Sequence, residues 1–313
     1  MEKVLLDTDI GTEVDDALSL AYLLVHPEIE LVGITTVTGE AEKRAKLASV
    51  MCEVANQDIP ILPGTERPIL RSQIENFAPQ SAILNQWEHK SKFSNHSAIP
   101  FMQKIIRDNP GEITLLGIAP LTNIGLLFAM DPEIPKLLKK LVLMCGSPTY
   151  SRDDVGAEEM GAMNSDDRLV LSSLGIIENN ALIDPEAMEL TYSANVNERI
   201  SYGLNVTSQL TDNKGESIQS IFEHPLMKPV YAMAEEWFKD QETLTFHDPL
   251  AAVALVHPEI CQYEKGDFLL NTKNELLSGF TYWKTNEKGK QKIAVNVDKE
   301  QFFHYFTVPF SNK

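Results

Sequence analysis

Near its start the chain reads Val4-Leu5-Leu6-Asp7-Thr8-Asp9-Ile10-Gly11-Thr12-Glu13-Val14-Asp15-Asp16-Ala17-Leu18, and few architectures accommodate such a stretch. Val4 to Leu6 is a short apolar run that reads as a buried strand. Five carboxylates, Asp7, Asp9, Glu13, Asp15 and Asp16, follow within ten residues. From Ala17 to Val25 apolar residues return at helical spacing, at 17, 18, 20, 21, 24 and 25. The acids therefore lie between the C-terminal end of a first strand and the start of a helix, where open α/β sheets bind ligands. Acids at a helix N-terminus are favoured by its dipole, and Thr12 or Asp15 could cap it. That explains one or two of the five. Gathering all of them beside a buried strand is costly unless a hard divalent cation with oxygen ligands neutralises them.

The 313 residues suffice for one large α/β domain or two small ones, and 43% hydrophobic content is that of a globular protein. No run of about 18 apolar residues occurs, so no membrane span is expected. The first strand is entered by residue 4, which leaves no room for a signal peptide. Cys52, Cys145 and Cys261 are odd in number and far apart in apolar surroundings. They read as buried free thiols suited to a reducing cytoplasm. A net charge of −18 argues against a nucleic-acid backbone as partner.

Further along, Ile29–Val37 reads as a second strand and Ala41–Ala55 as a helix. Ile59–Leu62 is a short strand that runs into Pro63-Gly64-Thr65-Glu66-Arg67-Pro68. Residues 70–98 are polar and irregular, either a lid or binding loop or a surface insertion. Ile99–Arg107 is helical and stops at Asn109-Pro110-Gly111. Glu112–Ile118 is a strand, Ile124–Met130 a helix, and Leu141–Met144 a strand. This alternation with short connections predicts a mostly parallel sheet covered on both faces. Tyr150–Asp167 reads as a long acidic loop and Arg168–Leu174 as a helix. Asn205–Ser208 reads as a strand end, and Ile218–Lys239 as one or two helices broken at Pro225 and Pro229. Phe280–Lys284 and Lys290–Val297 flank a turn at residues 286–289 as a small C-terminal hairpin, and Lys299–Phe306 is a last helix. No interdomain linker is visible, so residues 1–313 are read as a single domain.

Several of these segments, in this order, resemble the nucleoside hydrolases, including the inosine–uridine-preferring enzymes. The resemblance rests on Asp7-Thr8-Asp9 followed by Asp15-Asp16, and on Ile34-Thr35-Thr36-Val37. It continues in Ala119-Pro120-Leu121-Thr122-Asn123-Ile124, Leu143-Met144-Cys145-Gly146, Glu178-Asn179-Asn180 before Asp184-Pro185-Glu186-Ala187, and Phe246-His247-Asp248-Pro249. It implies an open, Rossmann-like α/β fold. It also implies calcium-dependent hydrolysis of the N-glycosidic bond of ribonucleosides to free base and ribose. Asp9, Asp16, the backbone carbonyl of Thr122 and Asp248 would ligate calcium, with Asp9 also the general base on the bound water. Asp15 would bind a ribose hydroxyl, Glu178 and Asn180 the far hydroxyls, and Asp7 would give support from behind. His247 would face the base and could protonate it. Met144 would lie near the sugar. The resemblance further implies a nucleoside as the small-molecule partner, a homodimer or homotetramer, and a role in purine or pyrimidine salvage.

On residue type alone other readings stand beside these. Asp248 before Pro249 suits a helix N-cap, Thr122-Asn123 another, and Glu178 to Asn180 a polar turn before a strand. The chain also departs from the family pattern. Its acid loop is two residues longer than the commonest form, and Glu40 stands where asparagine is usual, beside the site, as a possible substrate contact. Asn179 replaces an aromatic residue, and His89 and His96 do not stand in the context of the usual loop histidine. The segment from Tyr150 to Leu174 is longer than usual. These departures touch the base side more than the cation, so the base is left open. Two alternatives remain at this point. One is a non-catalytic nucleoside- or ribose-binding protein with the same fold. The other is a magnesium-dependent phosphatase of the haloacid-dehalogenase type, which also places Asp-x-Asp after its first strand.

Overall fold

The computed structural model describes residues 1–94, 98–150, 177–274 and 277–311. Its strands are β1 (Glu2–Thr8), β2 (Ile29–Thr36), β3 (Ile61–Pro63), β4 (Ile113–Gly117), β5 (Lys140–Met144) and β6 (Thr149–Tyr150). They continue with β7 (Arg199–Tyr202), β8 (Thr211–Asn213), β9 (Thr243–Thr245), β10 (Cys261–Asn271), β11 (Phe280–Thr285) and β12 (Gln291–Val297). The helices are α1 (Asp15–Val25), α2 (Ala41–Val54), α3 (Ala98–Asp108), α4 (Thr122–Met130), α5 (Ile134–Leu137) and α6 (Asn179–Ile183). After them come α7 (Pro185–Ser193), α8 (Leu204–Thr207), α9 (Met227–Trp237), α10 (His247–Val253) and α11 (Lys299–Ser311).

Ten strands form one sheet in the order β3-β2-β1-β4-β5-β7-β12-β10-β11-β6, and β8 with β9 forms a separate pair. Only β10 runs against its neighbours in the large sheet. Strand β1 is fully buried from Val4 to Leu6. Its side chains split between the layers: Val4 and Leu6 join one apolar cluster and Leu5 the other. This two-residue alternation inside a continuous apolar run is what a parallel strand covered on both faces requires. β4 and β5 divide in the same way, with Leu116 and Val142 on one side and Leu115, Leu141 and Leu143 on the other.

After β1 the chain winds outward through β2 and β3, then returns to place β4 and β5 on the opposite side of β1. The order reverses between β1 and β4. Asp7 pairs there with Gly117 of β4 and with Thr35 of β2. A crevice opens at the C-terminal ends of strands that diverge in this way. The acid loop of residues 9–16 lies at that end of β1.

The expected alternation is present, and four local expectations are corrected. Phe280–Thr285 does not pair with the strand of residues 291–297. β10 lies between them, antiparallel to both. The 286–289 turn therefore connects strands on either side of β10, and β12 is free to pair in parallel with β7. Asn205–Ser208 is not a strand end, because Leu204–Thr207 forms one helical turn after β7. Residues 181–183 are helical, not a strand, since Glu178 caps a helix there. Pro229 does not interrupt a helix either: it sits in the first turn of α9, where its missing N–H is not needed. The loop and helix expected over 150–174 lie largely, and His96 wholly, outside the described residues. Cys52, Cys145 and Cys261 are buried free thiols.

Candidate active site

One cavity of about 290 Å³ lies at the β1–β4 crevice. Its walls include Asp9, Glu13, Asp15, Asp16, Glu75, Glu178 and Asp248. Thr12, Asn179, Asn180, His247, Met144, Ile118, Ile177 and Leu204 complete the lining. Seven carboxyl groups thus face one small space.

The loop after β1 is built to turn its acids inward. Gly11 has φ +126°, and a Cβ there would stand 2.8 Å from Leu47, so only glycine fits. The Thr8 hydroxyl donates to Asp16 Oδ1 at 2.5 Å and receives the Ile10 amide at 3.1 Å. Ser19 Oγ donates to the Asp15 carbonyl at 2.8 Å. Asp7 lies behind the cavity, fully buried. Its Oδ1 accepts from Thr35 Oγ1 at 2.6 Å and from Asn123 Nδ2 at 2.8 Å. Asp7 therefore braces β1 against β2 and α4.

α10 approaches from the far end of the chain. Phe246 is fully buried against Phe302, Phe303 and Phe306, with ring centroids 5.8, 5.1 and 5.6 Å away. That anchor fixes the next two residues. The Asp248 amide donates to Asp15 Oδ2 at 3.2 Å. Oxygens of Asp15, Asp16 and Asp248 lie within 4.8 Å of one another, all three residues being buried. Asp9 is 8% exposed and Asp248 4% exposed, and Asp9 lines the same space.

None of the capping alternatives survives. The N-cap of α1 is Val14, that of α4 is Leu121 and that of α10 is Phe246, none with a side-chain cap bond. Asp248 is the second residue of its helix. Its carboxylate is thus released from capping and available to a cation.

The electrostatics follow from burial and crowding. Burial, then the Asp15 charge, pushes the Asp16 carboxyl up to about 8. Burial and Glu13 raise Asp15 to about 8, against the hydrogen bond from the Asp248 amide. Asp9 and Asp248 are pushed well above the usual carboxylate range, by burial first and neighbouring acids second. Burial and the Asp16 charge bring Glu13 to about 7. A site that raises Asp9, Glu13, Asp15, Asp16 and Asp248 together favours protons or a cation over bare negative charge.

Other predicted positions fall as follows. Asn180 donates its amide to the Met144 carbonyl at 3.0 Å, which leaves Oδ1 as the group it can offer. Glu178 lines the cavity but caps α6, accepting from the amides of Asn180 at 2.6 Å, Ala181 at 3.0 Å and Gly146 at 2.8 Å. Much of its lone-pair capacity is already used. His247 Nδ1 is 2.8 Å from Thr207 Oγ1, and burial pushes the imidazole down to about 4. Thr122 is buried at the start of α4 with its hydroxyl on Asp184 Oδ2 at 2.6 Å, and is not among the lining residues. His89 is also absent from the lining; its Nδ1 is 2.9 Å from the Lys90 carbonyl.

Glu40 is a correction. Its carboxylate does not line the cavity, because Lys43 Nζ at 2.5 Å and the Ala78 amide at 3.0 Å engage it. Its backbone is left-handed, φ 61°. Asparagine tolerates that conformation better than glutamate. Sequence reasoning missed Glu75, and counted Glu13 without giving it a role. Both face the cavity.

A model of the inosine-uridine preferring nucleoside hydrolases matches residues 4–304. The chain belongs to the nucleoside hydrolase family. The family catalyses N-glycosyl hydrolysis, and a match over residues 4–304 displaces the phosphatase alternative. Among curated family members, uridine nucleosidase 1 of Arabidopsis thaliana is 26% identical, over 87% of this chain and 79% of that protein. The pyrimidine-specific ribonucleoside hydrolase RihA of Escherichia coli is 25% identical, over 96% of this chain and 95% of that one. Among solved structures of the family, the plant nucleoside hydrolase PpNRh1 aligns with a TM-score of 0.80 at 22% identity, covering 100% of this chain and 99% of that chain. The purine-preferring ribonucleoside hydrolase of Gardnerella vaginalis aligns at 0.78 and 22%, covering 99% and 98%. The mixed α/β fold is thus that of the family, while the base preferences in these names differ.

Proposed function

We propose that the chain hydrolyses ribonucleosides with a calcium ion held among Asp9, Asp16, Asp248 and the Thr122 carbonyl. The observation that carries the reading is the Asp15–Asp16–Asp248 cluster, whose oxygens lie within 4.8 Å of one another beside Asp9. Buried oxygen donors without histidine or cysteine suit a hard cation. Asp9 and Asp248 are buried carboxylates whose raised pKa values leave them costly to ionise without one. When bound, the cation supplies positive charge that acidifies a water and orients sugar hydroxyls.

The chain's own residues divide the remaining work. Asp9 accepts the proton of the attacking water. The water oxygen bonds to the anomeric carbon as the bond to the base nitrogen breaks and its electron pair leaves with the base. Asp15 keeps Oδ2 on the Asp248 amide and offers its other oxygen to a ribose hydroxyl. Asn180 offers Oδ1, and Glu178 its remaining lone pairs, to the rest of the sugar, with Met144 packed beside them.

His247 faces the leaving base in its neutral form, since burial lowers its pKa to about 4. With the Thr207 hydroxyl donating to Nδ1, Nε2–H becomes a hydrogen-bond donor to the base. His247→Ala is expected to lower kcat by about 10-fold or more, with little change in calcium affinity. Equal kcat in the two proteins would remove His247 from the mechanism.

The deciding experiment is release of free ribose from a panel of purine and pyrimidine nucleosides, with and without a calcium chelator. Release that the chelator abolishes and calcium restores is the expected result. Release that is indifferent to thorough chelation would refute the metal-dependent reading.

A further inference from the structure

Glu75 comes from the irregular stretch between β3 and α3, and it is set in place with unusual care. Its Oε1 accepts from Thr12 Oγ1 at 2.5 Å and from Arg44 Nη2 at 3.0 Å. Arg44 lies in the interior of α2 and is fully buried. Burying a guanidinium is costly unless its donors are satisfied. Here Nε reaches the Gly39 carbonyl at 2.9 Å, and Nη1 the Asp9 carbonyl and Thr12 Oγ1. Nη2 also reaches the Phe77 carbonyl at 3.3 Å. One buried cation thereby ties the acid loop, the end of β2 and the Glu75 segment together. Among the described residues the other carboxylate oxygen, Oε2, has only a long contact of 3.5 Å with Asn179 Nδ2. Glu75 and Asn179 both line the cavity.

We infer that Glu75 is a substrate-contacting specificity residue, pre-set by Arg44 and Thr12 to accept a hydrogen bond from an O–H or N–H of the nucleoside. The inference rests on the hydrolase reading above and names a contact which that reading does not contain. With Oε1 held, the side chain has already lost most of its freedom, so a donor reaching Oε2 gains the bond at little further ordering cost. An ionised carboxylate can only accept. A neutral ligand bearing a donor fits this wall, and a phosphorylated one is repelled by it. Arg44 touches no substrate; it is a positioning residue for Glu75 and for the Asp9 backbone.

The test uses calcium-loaded protein and compares kcat/KM for a ribonucleoside with its 2′-, 3′- and 5′-deoxy analogues and one analogue lacking a base N–H. Wild type is expected to lose about 10–100-fold on removal of the donor that meets Glu75. In Glu75→Gln the amide oxygen stays toward Arg44 and the NH2 group turns to the cavity. That variant is expected to lose the discrimination at that single position, through KM more than kcat. Its calcium affinity by titration calorimetry should fall far less than that of Asp16→Asn, because Glu75 acts on the cluster only as a nearby charge. Arg44→Lys keeps the charge without the fork. It should produce the same position-specific loss, not additive with Glu75→Gln, beside a uniform fall in kcat from its lost hold on the Asp9 carbonyl. In Glu75→Gln, a uniform change across all analogues, or none, would overturn the assignment. Should wild type hydrolyse no nucleoside, the hydrolase reading fails by itself. Calorimetric binding of the same analogues to wild type and Glu75→Gln then still decides whether Glu75 contacts the ligand.

Discussion

Asp9→Asn is expected to reduce kcat by about 10²–10⁴-fold, the range associated with a lost general base, while nucleoside binding is partly retained. The substitution keeps the size of the side chain and removes its capacity to take a proton. Asp9 is buried, lines the cavity and is held by its backbone carbonyl to Arg44. An asparagine should therefore occupy the same place. Because Asp9 is also proposed as a ligand, calcium affinity must be measured beside turnover. The assay is done at calcium concentrations that saturate the variant, so that occupancy and chemistry separate. Full activity of Asp9→Asn at saturation would rule out the mechanism proposed here. A control is Asp7→Asn. Asp7 has no contact with the cavity, so its effect should fall on thermal stability instead.

The second large effect concerns the protein without its cation. Asp15 and Asp16 titrate at about 8 in the folded chain, and Asp9 and Asp248 are raised as well. In the unfolded chain each returns to about 4. The folded state then binds more protons than the unfolded state between these limits. The stability these groups contribute is complete below about pH 4 and is lost as pH rises toward 8. Chelator-treated protein should accordingly melt lower at pH 8 than at pH 5.5, by on the order of 5–10 °C. Calcium at about 1,000 times its dissociation constant adds roughly 4 kcal/mol to the folded state. It should reverse the trend, because the cation competes with protons for the same oxygens. Differential scanning calorimetry at the two pH values, with and without calcium, checks this. Melting temperatures that do not depend on pH in chelator would show that the cluster is not strained by its own charge.

Much of this could be read along the chain. Val4–Leu6 carries the signal of a doubly covered strand, and the acids directly behind it signal a cation. Both depend on neighbours within a few residues. The errors lie where a partner is distant. Phe280–Thr285 and residues 290–297 are adjacent in sequence and look like a hairpin. Only β10, with edges suited to both, makes them neighbours of a third strand. Asp248-Pro249 has the local chemistry of a cap, yet the Phe246 anchor shifts the helix start by two residues. Glu40 has the composition of a site residue, but Lys43 and the Ala78 amide take its carboxylate. Glu75 and Arg44 carry no local pattern at all. One lies in a polar, aperiodic stretch and the other in a helix of mixed charge, and they find each other only in the folded chain.

The bond between the Asp248 amide and Asp15 joins positions 233 residues apart, and it has a consequence for how the site comes into being. A polypeptide is synthesised from its N-terminus, so the acid loop is made well before α10 and is completed only when α10 arrives. Until α10 has left the ribosome, Asp15 and Asp16 lack the third carboxylate of their cluster. A chain halted anywhere before residue 248 carries the acid loop but not the assembled centre. Tight binding of the proposed cation is thus expected to be a late event, coupled to the docking of α10 on the acid loop.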